Sequence, residues 1–221
     1  YAAIALHARR CVGEHRVARL MRHGGIGAKT VTKWRATTQS QHRFPVAANT
    51  LDRAFTVAAP TRVWAGALTY VWTMEGWLYL AVLLDLYSRR VVGWAMGPRL
   101  TGELVEQALT MALVNRIPRA GLVHHSDRGS QYAATSYQRR LTEYGLIPSM
   151  SRKGNCWDNA CVESFFGTLK RELVHQRPYV TRDEAKQDIF EYIEVFYNRQ
   201  RQHSTLGYHA PVEFEARAAV A

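Results

Sequence analysis

The sequence predicts an α/β fold, in which a mixed five-stranded sheet carries helices on its faces. The main observation is that strand-type and helix-type hydrophobic patterns follow one another from residue 63 onward, in the order β-β-β-α-β-α-β-α-α. The second observation is size: 221 residues that are 47% hydrophobic suffice for a large core, which excludes a wholly disordered chain. The longest apolar run, residues 77–84, is far shorter than the roughly 20 residues that cross a membrane.

Charge is concentrated at the start of the chain. The net charge is +11, and residues 1–62 hold 11 Lys and Arg against 2 Asp and Glu, a net +9. The remaining residues carry only +2. Such a basic segment predicts a polyanionic partner, most commonly nucleic acid. The alternative is an arm that only improves solubility.

The pattern of the N-terminal quarter predicts a helix-turn-helix-like DNA-binding segment over residues 1–27. It also predicts a basic linker over residues 28–62 that becomes ordered only on DNA. Helical spacing covers residues 3–10 and 15–22, a pattern that a plain αα-hairpin also gives. Because the chain begins at Tyr1 rather than Met, we expect this segment to be truncated. The basic residues expected to contact DNA here are Arg16, Arg19, Arg22, Lys29, Lys33, Arg35 and Arg43.

From residue 63 the elements can be placed one by one. Aromatic and β-branched runs predict strands over residues 63–73 and 76–88, and we expect three further strands over residues 89–96, 121–125 and 147–150. Helical spacing predicts helices over residues 101–116, 136–144, 158–173 and 181 to about 202. Thr181 and Glu184 form a capping box at the start of the last of these helices. We expect residues 63–178 to form the core domain, with a long helix and tail over residues 179–221 packing on it.

Two carboxylates fall where an active site would lie. Asp127 follows a buried strand in the string HHSDRGSQY, and sites in α/β sheets gather beyond the carboxyl ends of strands. Glu163 lies one turn inside a helix in the string NCWDNACVESFF, beside two phenylalanines. Taken singly, Asp127 reads as a turn-capping residue and Glu163 as an ordinary helix-surface glutamate. The 35 residues between them and their flanking strings favour a shared role.

Those strings, together with GWLYLAVLLDLYSRRVVGWAM over residues 76–96 and YNRQRQHSTLGYHAP over residues 197–211, resemble one family. The chain resembles the OrfB-type insertion-sequence transposases of the two-frame, copy-out and paste-in group, which have a retroviral-integrase-like core. The resemblance covers nearly the whole chain. It implies a ribonuclease-H-like fold, a catalytic triad of two aspartates and a glutamate, and metal-dependent cleavage and transfer of DNA strands.

The first carboxylate of that triad is missing. The family places an aspartate in the fourth position of a W-x-x-D string in its first core strand, and this sequence reads WAGALTY over residues 64–70. Position 67 is therefore Ala67, while Asp127 and Glu163 match the other two catalytic residues. Asp85 is the alternative first carboxylate, but its string is not catalytic in the family. The resemblance therefore implies a catalytically inactive variant with Ala67 in place of the first aspartate.

The resemblance also implies cofactors and partners. Two Mg²⁺ (or Mn²⁺) ions would be held by the three carboxylates, because two hard cations flanking a phosphate stabilise both the attacking and the leaving oxygen. Asp127 and Glu163 are then the remaining metal ligands. The partners implied are the terminal inverted repeats of the element and target DNA, bound by a homodimer or a larger assembly. We expect a bacterial cytoplasmic protein, associated with the nucleoid when bound to DNA and with no membrane.

Four further residues are candidate DNA contacts. Asn159 and Lys170 share the helical face of Glu163, and Arg199 and Arg201 end the last long helix, where phosphate contacts are expected. The alternatives are a solvated lysine and an ordinary basic helix end. Two other functions stay open: a domesticated transposase that represses by binding DNA without catalysis, which Ala67 alone favours, and a ribonuclease H. The intact strings around Asp127 and Glu163 favour the transposase over the first, and the basic N-terminus favours it over the second.

Overall fold

The computed structural model describes residues 13–26, 42–153 and 155–218. The predicted helix over residues 3–10 and the predicted DNA contacts Lys29, Lys33 and Arg35 lie outside these ranges. No helix within them is both long and apolar enough to cross a membrane.

The core is a five-stranded mixed sheet, as predicted. Its strands are β1 (Val63–Thr73), β2 (Gly76–Asp85), β3 (Val91–Gly97), β4 (Val123–Ser126) and β5 (Ile147–Met150). Their order across the sheet is β3-β2-β1-β4-β5. Strand β2 runs antiparallel to both neighbours, whereas β1, β4 and β5 are parallel. The predicted second strand ends at Asp85 rather than at residue 88, because the Asp85 carboxylate accepts hydrogen bonds from the backbone N–H groups of Thr61 and Tyr87 and closes a turn.

Seven α-helices lie within the described residues. They are α1 (Glu14–His23), α2 (Gly102–Arg116), α3 (Ser130–Ala133), α4 (Thr135–Glu143), α5 (Ala160–Glu172), α6 (Arg182–Glu191) and α7 (Pro211–Ala218). The predicted capping box at Thr181 is present, since its side chain accepts a hydrogen bond from the Glu184 N–H. Helix α6 passes into a π-helical turn, Tyr192–Tyr197, and ends there rather than near residue 202.

Two apolar layers hold the helices to the sheet. On one face, α5 and α6 pack over β1 and β2 around Val82, Phe165 and Ile189. On the other face, α2, α3 and α4 pack around Trp64, Leu109 and Tyr137. Because the sheet is covered on both sides, its central strands are buried along most of their length, which explains their nearly continuous apolar sequences.

Residues 42–62 lie against the core instead of forming a free linker. The ring of His42 hydrogen-bonds the Arg128 carbonyl at 2.7 Å, and the Ser149 hydroxyl accepts from the backbone N–H groups of Thr50 and Leu51. Leu51 is buried in the apolar layer under α5. The prediction of a linker that orders only on DNA is therefore wrong for this part of residues 28–62.

The two ends of the described chain differ in their contacts. Helix α7 is tied to the core through Glu215, which accepts hydrogen bonds from Ser88, Arg90 and Arg116. On α1, the three arginines predicted to face DNA are exposed. Leu20 of the same helix is 58% exposed.

Candidate active site

The pairing of β1 with β4 brings position 67 next to Asp127. Gly66 lies opposite Ser126 in this parallel pair of strands. Ala67 and Asp127 are the next residues on the two strands, so they are neighbours. Ala67 is buried in the apolar layer shared with α5. Position 67 therefore contributes a methyl group, and no oxygen, beside the carboxyl end of β4.

Asp127 is held at the start of a tight turn. Its Oδ1 accepts a hydrogen bond from the Gly129 N–H at 2.9 Å. A Cβ at position 129 would lie only 2.9 Å from that same oxygen, so a glycine is needed for this close approach. The turn leads directly into α3, a short helix that the sequence analysis did not predict.

Glu163 lies in the first turn of α5 and shares its environment with Asp127. Partial burial raises the pKa of Glu163 from its ordinary 4.5 to about 7, and the negative charge of Asp127 adds to the rise. That electrostatic coupling means that the fold brings together the two carboxylates singled out from the sequence. Within the described residues, no group of three or more His, Cys, Asp and Glu side chains is placed to share a metal ion. Position 67, beside Asp127, is an alanine and offers no side-chain ligand.

Asn159, predicted to contact DNA, makes an internal contact in this structure. The residue is 5% exposed, and its Nδ2 donates to the Gly66 carbonyl at 3.1 Å. Its Oδ1 is buried and has no hydrogen-bond partner among the described residues. Asn159 immediately precedes α5, so this bond fixes the start of the helix that carries Glu163 to the peptide before position 67.

The neighbouring Asp158 ties three segments together, which the sequence analysis missed. Its buried carboxylate accepts hydrogen bonds from Arg152, Arg53 and Asn49. The Arg152 guanidinium is the main reason why the pKa of Asp158 is held well below its ordinary value. These bonds fix the loop before α5 and the segment around residue 50 against each other, so α5 starts from a rigid base.

The other candidate DNA contacts differ in exposure and in partners. Arg16, Arg19, Arg22, Arg43 and Arg199 are exposed. Arg201 instead pairs with Glu172, its Nη2 lying 2.8 Å from Oε1. Lys170 is half-buried, and its Nζ lies 5.0 Å from the centre of the Tyr70 ring.

The two histidines before Asp127 are structural. His124 and His125 are both buried, and burial lowers their pKa values to about 3 and 4. The ring of His124 hydrogen-bonds the Tyr137 hydroxyl, and that of His125 bonds the hydroxyls of Ser149 and Ser151. Both rings are therefore neutral, and their hydrogen bonds fix the end of β4 that leads to Asp127.

Comparison with known proteins decides the family. Two integrase core domain models match residues 57–156 and 163–218. Over 206 residues the chain is 52% identical to the insertion element IS600 uncharacterized 31 kDa protein of Shigella sonnei, covering 93% of this chain and 76% of the other. It is 45% identical over 199 residues to transposase InsF for insertion sequence IS3A of Escherichia coli (strain K12), covering 90% and 69%. The chain is an insertion-sequence transposase with an integrase-like core.

Solved structures confirm the ribonuclease-H-like fold of this transposase. The catalytic core domain of HTLV-2 integrase, in complex with magnesium, superposes with a TM-score of 0.56 at 17% identity, covering 71% of this chain and 97% of that one. A chain of the simian T-cell lymphotropic virus intasome, bound to a regulatory subunit of PP2A, gives a TM-score of 0.61 at 18% identity. The match covers 80% of the transposase and 60% of the viral chain.

The raised pKa of Glu163 predicts that, without metal, ionisation of this side chain lowers the free energy of unfolding of the transposase. Between pH 4.5 and about 7 the folded protein binds more protons than the unfolded chain, so stability falls as the pH rises through that window. Glu163→Gln removes this loss of stability. We therefore expect the variant to melt at a higher temperature than the parent at pH 8 in EDTA, and at nearly the same temperature at pH 4.5. A difference that does not depend on pH would contradict this explanation.

Proposed function

We propose that this transposase belongs to the class that cuts and joins DNA strands with two aspartates, a glutamate and divalent cations, and that Ala67 makes this chain inactive. Transposition makes it a polynucleotidyl transferase. The observation that carries the proposal is the shared environment of Asp127 and Glu163 beside position 67. Their spacing of 35 residues places one at the end of a central strand and the other on the helix that covers it.

The residues present fit a divalent cation in part. Asp127 and Glu163 offer the hard oxygen ligands that Mg²⁺ and Mn²⁺ prefer, and their mutual repulsion is what a cation would relieve. We propose that these two residues hold the cations and that an aspartate at position 67 would complete a two-ion site. Bound divalent ions supply Lewis-acid stabilisation of charge on the phosphate oxygens.

The chain's own groups prepare the site in other ways. The Gly129 N–H fixes the orientation of the Asp127 carboxylate, and Asn159 fixes the start of the helix that carries Glu163. A glutamate with a pKa of about 7 can hold or release a proton at neutral pH. Ala67 adds no charge or ligand, so the arrangement is complete in shape but lacks one of its three carboxylates.

A DNA-binding protein without catalysis is the second candidate, and Ala67 is the observation that favours it. Such a protein has no need of Asp127 or Glu163, and the positioning of both residues favours an enzyme altered at one position. The two candidates give different results in the Ala67→Asp variant described in the Discussion, since a protein that only binds DNA gains no activity from it.

We further propose that the partners are the terminal inverted repeats of the element and target DNA. The exposed arginines of α1 provide positive charge for phosphate, consistent with the net +9 of residues 1–62. Joining two element ends requires both to be held together, so a homodimer or larger assembly on DNA is proposed, located at the bacterial nucleoid. The viral intasome that shares the fold is an assembly of the same general kind.

The DNA-binding part of the proposal predicts a change in salt dependence. Replacing Arg16, Arg19 and Arg22 by Gln should weaken binding to duplex DNA and flatten the plot of log affinity against log salt concentration by about 1 to 3, since each lost phosphate contact removes roughly 0.9 from the slope. Fluorescence anisotropy across a salt series measures it. The matched control replaces the exposed Arg99, Arg139 and Arg217 by Gln. Equal slopes for the two triple variants would show that α1 is not the main DNA contact.

A further inference from the structure

Three aromatic side chains lie together on the β1–β2 hairpin. The ring centres of Trp72 and Trp77 are 4.7 Å apart, and those of Tyr70 and Trp77 are 4.8 Å apart, both pairs meeting edge to face. Trp72 is 57% exposed and Trp77 is 42% exposed. We call these three residues the aromatic strip. Within the described residues, much of the surface of both tryptophans is exposed to solvent.

The strip begins three residues beyond position 67 on β1, on the opposite face of that strand. Strand β1 pairs with β4 only from Val63 to Gly66, so β4 leaves this edge of β1 uncovered beyond that point. The Lys170 ammonium of α5 lies over the Tyr70 ring. Lys170 and Glu163 are seven residues apart on one face of the helix, or about 10 Å along its axis. The strip therefore lies on the other face of the sheet from Ala67 and meets α5 only where Lys170 reaches Tyr70 past the open edge of β1.

Cations lie at both ends of the strip. Lys170 is at the Tyr70 end, and at the other end the Arg182 Nε donates to the Trp77 carbonyl at 3.0 Å. One acid lies nearby, because the Glu75 carboxylate accepts a hydrogen bond from the Arg182 backbone N–H. Exposed aromatic faces interleaved with cations are the pattern that binds single-stranded nucleic acid, in which bases stack on the rings and phosphates meet the cations.

We propose that the aromatic strip binds unpaired bases of the DNA substrate by stacking them on Trp72 and Trp77. The inference rests on the proposed function, which makes DNA the substrate. The strip would therefore distinguish the two states of a DNA end. An end with unpaired bases gains stacking contacts that a fully paired end cannot make.

A second copy of the chain fits this surface less well. Docking an identical chain would bury Lys170 and Arg182 in an apolar contact, and it would bring together two molecules that each carry a net +11. A DNA strand instead supplies phosphates for the cations and flat apolar faces for the rings. Charge complementarity therefore favours DNA as the occupant.

The test compares two probes and three proteins. The probes are a blunt duplex and the same duplex with a single-stranded thymidine tail of about ten nucleotides. The proteins are the parent, Trp72→Leu/Trp77→Leu, and the control Tyr144→Leu, whose ring is 48% exposed and lies under Arg140 on another part of the surface. Leucine keeps the apolar character and removes the aromatic face. Melting curves establish folding, and if the double variant unfolds, Trp72→Leu alone is used.

We expect the tail to strengthen binding by the parent and by Tyr144→Leu about tenfold or more, and the tryptophan variant to lose that gain while binding blunt duplex unchanged. A gain that survives in the tryptophan variant, or no gain in the parent, would overturn the strip as a base-binding surface. A variant that loses self-association in sedimentation while keeping the gain would assign the strip to a second copy and also overturn it. A parent that binds neither probe would instead refute the proposed function.

Discussion

Replacing Ala67 by Asp is expected to turn this chain into an active enzyme in the presence of Mg²⁺. The new carboxylate would stand beside Asp127 at the end of the paired segment of β1 and β4, on the face covered by the helix of Glu163. Removing one group that stabilises developing charge typically costs about 10²–10³ in rate. We therefore expect Ala67→Asp to cleave its element-end duplex at least about 10²–10³ times faster than the parent, measured by single-turnover gel assay.

Thr69→Asp is the matched control for this gain. Thr69 is also 6% exposed, as Ala67 is, and lies two residues further along the same face of β1, away from Asp127. Both variants add a buried carboxylate, so both should melt at a lower temperature in EDTA. Only Ala67→Asp should recover stability and gain cleavage when Mg²⁺ is added. Activity in neither variant, with both folded and bound to DNA, would show that position 67 is not the missing carboxylate.

Adding Glu163→Gln to Ala67→Asp is expected to abolish the restored cleavage. Glutamine keeps the shape of the side chain but cannot carry the charge that the site needs, so the rate should return to that of the parent, a fall of at least about 10²–10³-fold. DNA affinity should change little, which separates a catalytic loss from a binding loss. The control Glu172→Gln lies on the same helix but pairs with Arg201 away from Asp127. A double variant that still cleaves would exclude Glu163 from catalysis.

The sheet could be predicted closely because its strands carry a local signal. Strands β1 and β5 begin and end where the sequence predicts. In β1 the signal is a long run of mostly apolar residues, several of them aromatic or β-branched, that ends at a turn. The carboxylates Asp127 and Glu163 could be singled out because their surrounding strings are long and their spacing is defined. The capping box at Thr181 was also visible from the sequence, being a contact between residues three apart.

The contacts that organise the site could not be predicted in this way. The Asn159 amide meets the Gly66 carbonyl across 93 positions of sequence, and Asp158 meets Arg53 across 105. Such polar contacts between distant segments leave no periodic pattern in the sequence. The same reason explains the misjudged linker, where scattered basic residues suggested a solvated chain while Leu51 and the backbone N–H of Thr50 bind the core.

The most direct test of a three-carboxylate site measures metal binding rather than activity. Calorimetric titration with Mn²⁺ measures the affinity and the number of bound ions for three proteins: the parent, Ala67→Asp and Ala67→Asp/Glu163→Gln. Comparing them shows whether position 67 and Glu163 contribute to metal binding. We expect weak binding by the parent, markedly tighter binding with two ions per chain in Ala67→Asp, and a return to weak binding in the double variant. Equal affinity and stoichiometry in the parent and Ala67→Asp would contradict the assignment of position 67 to the site.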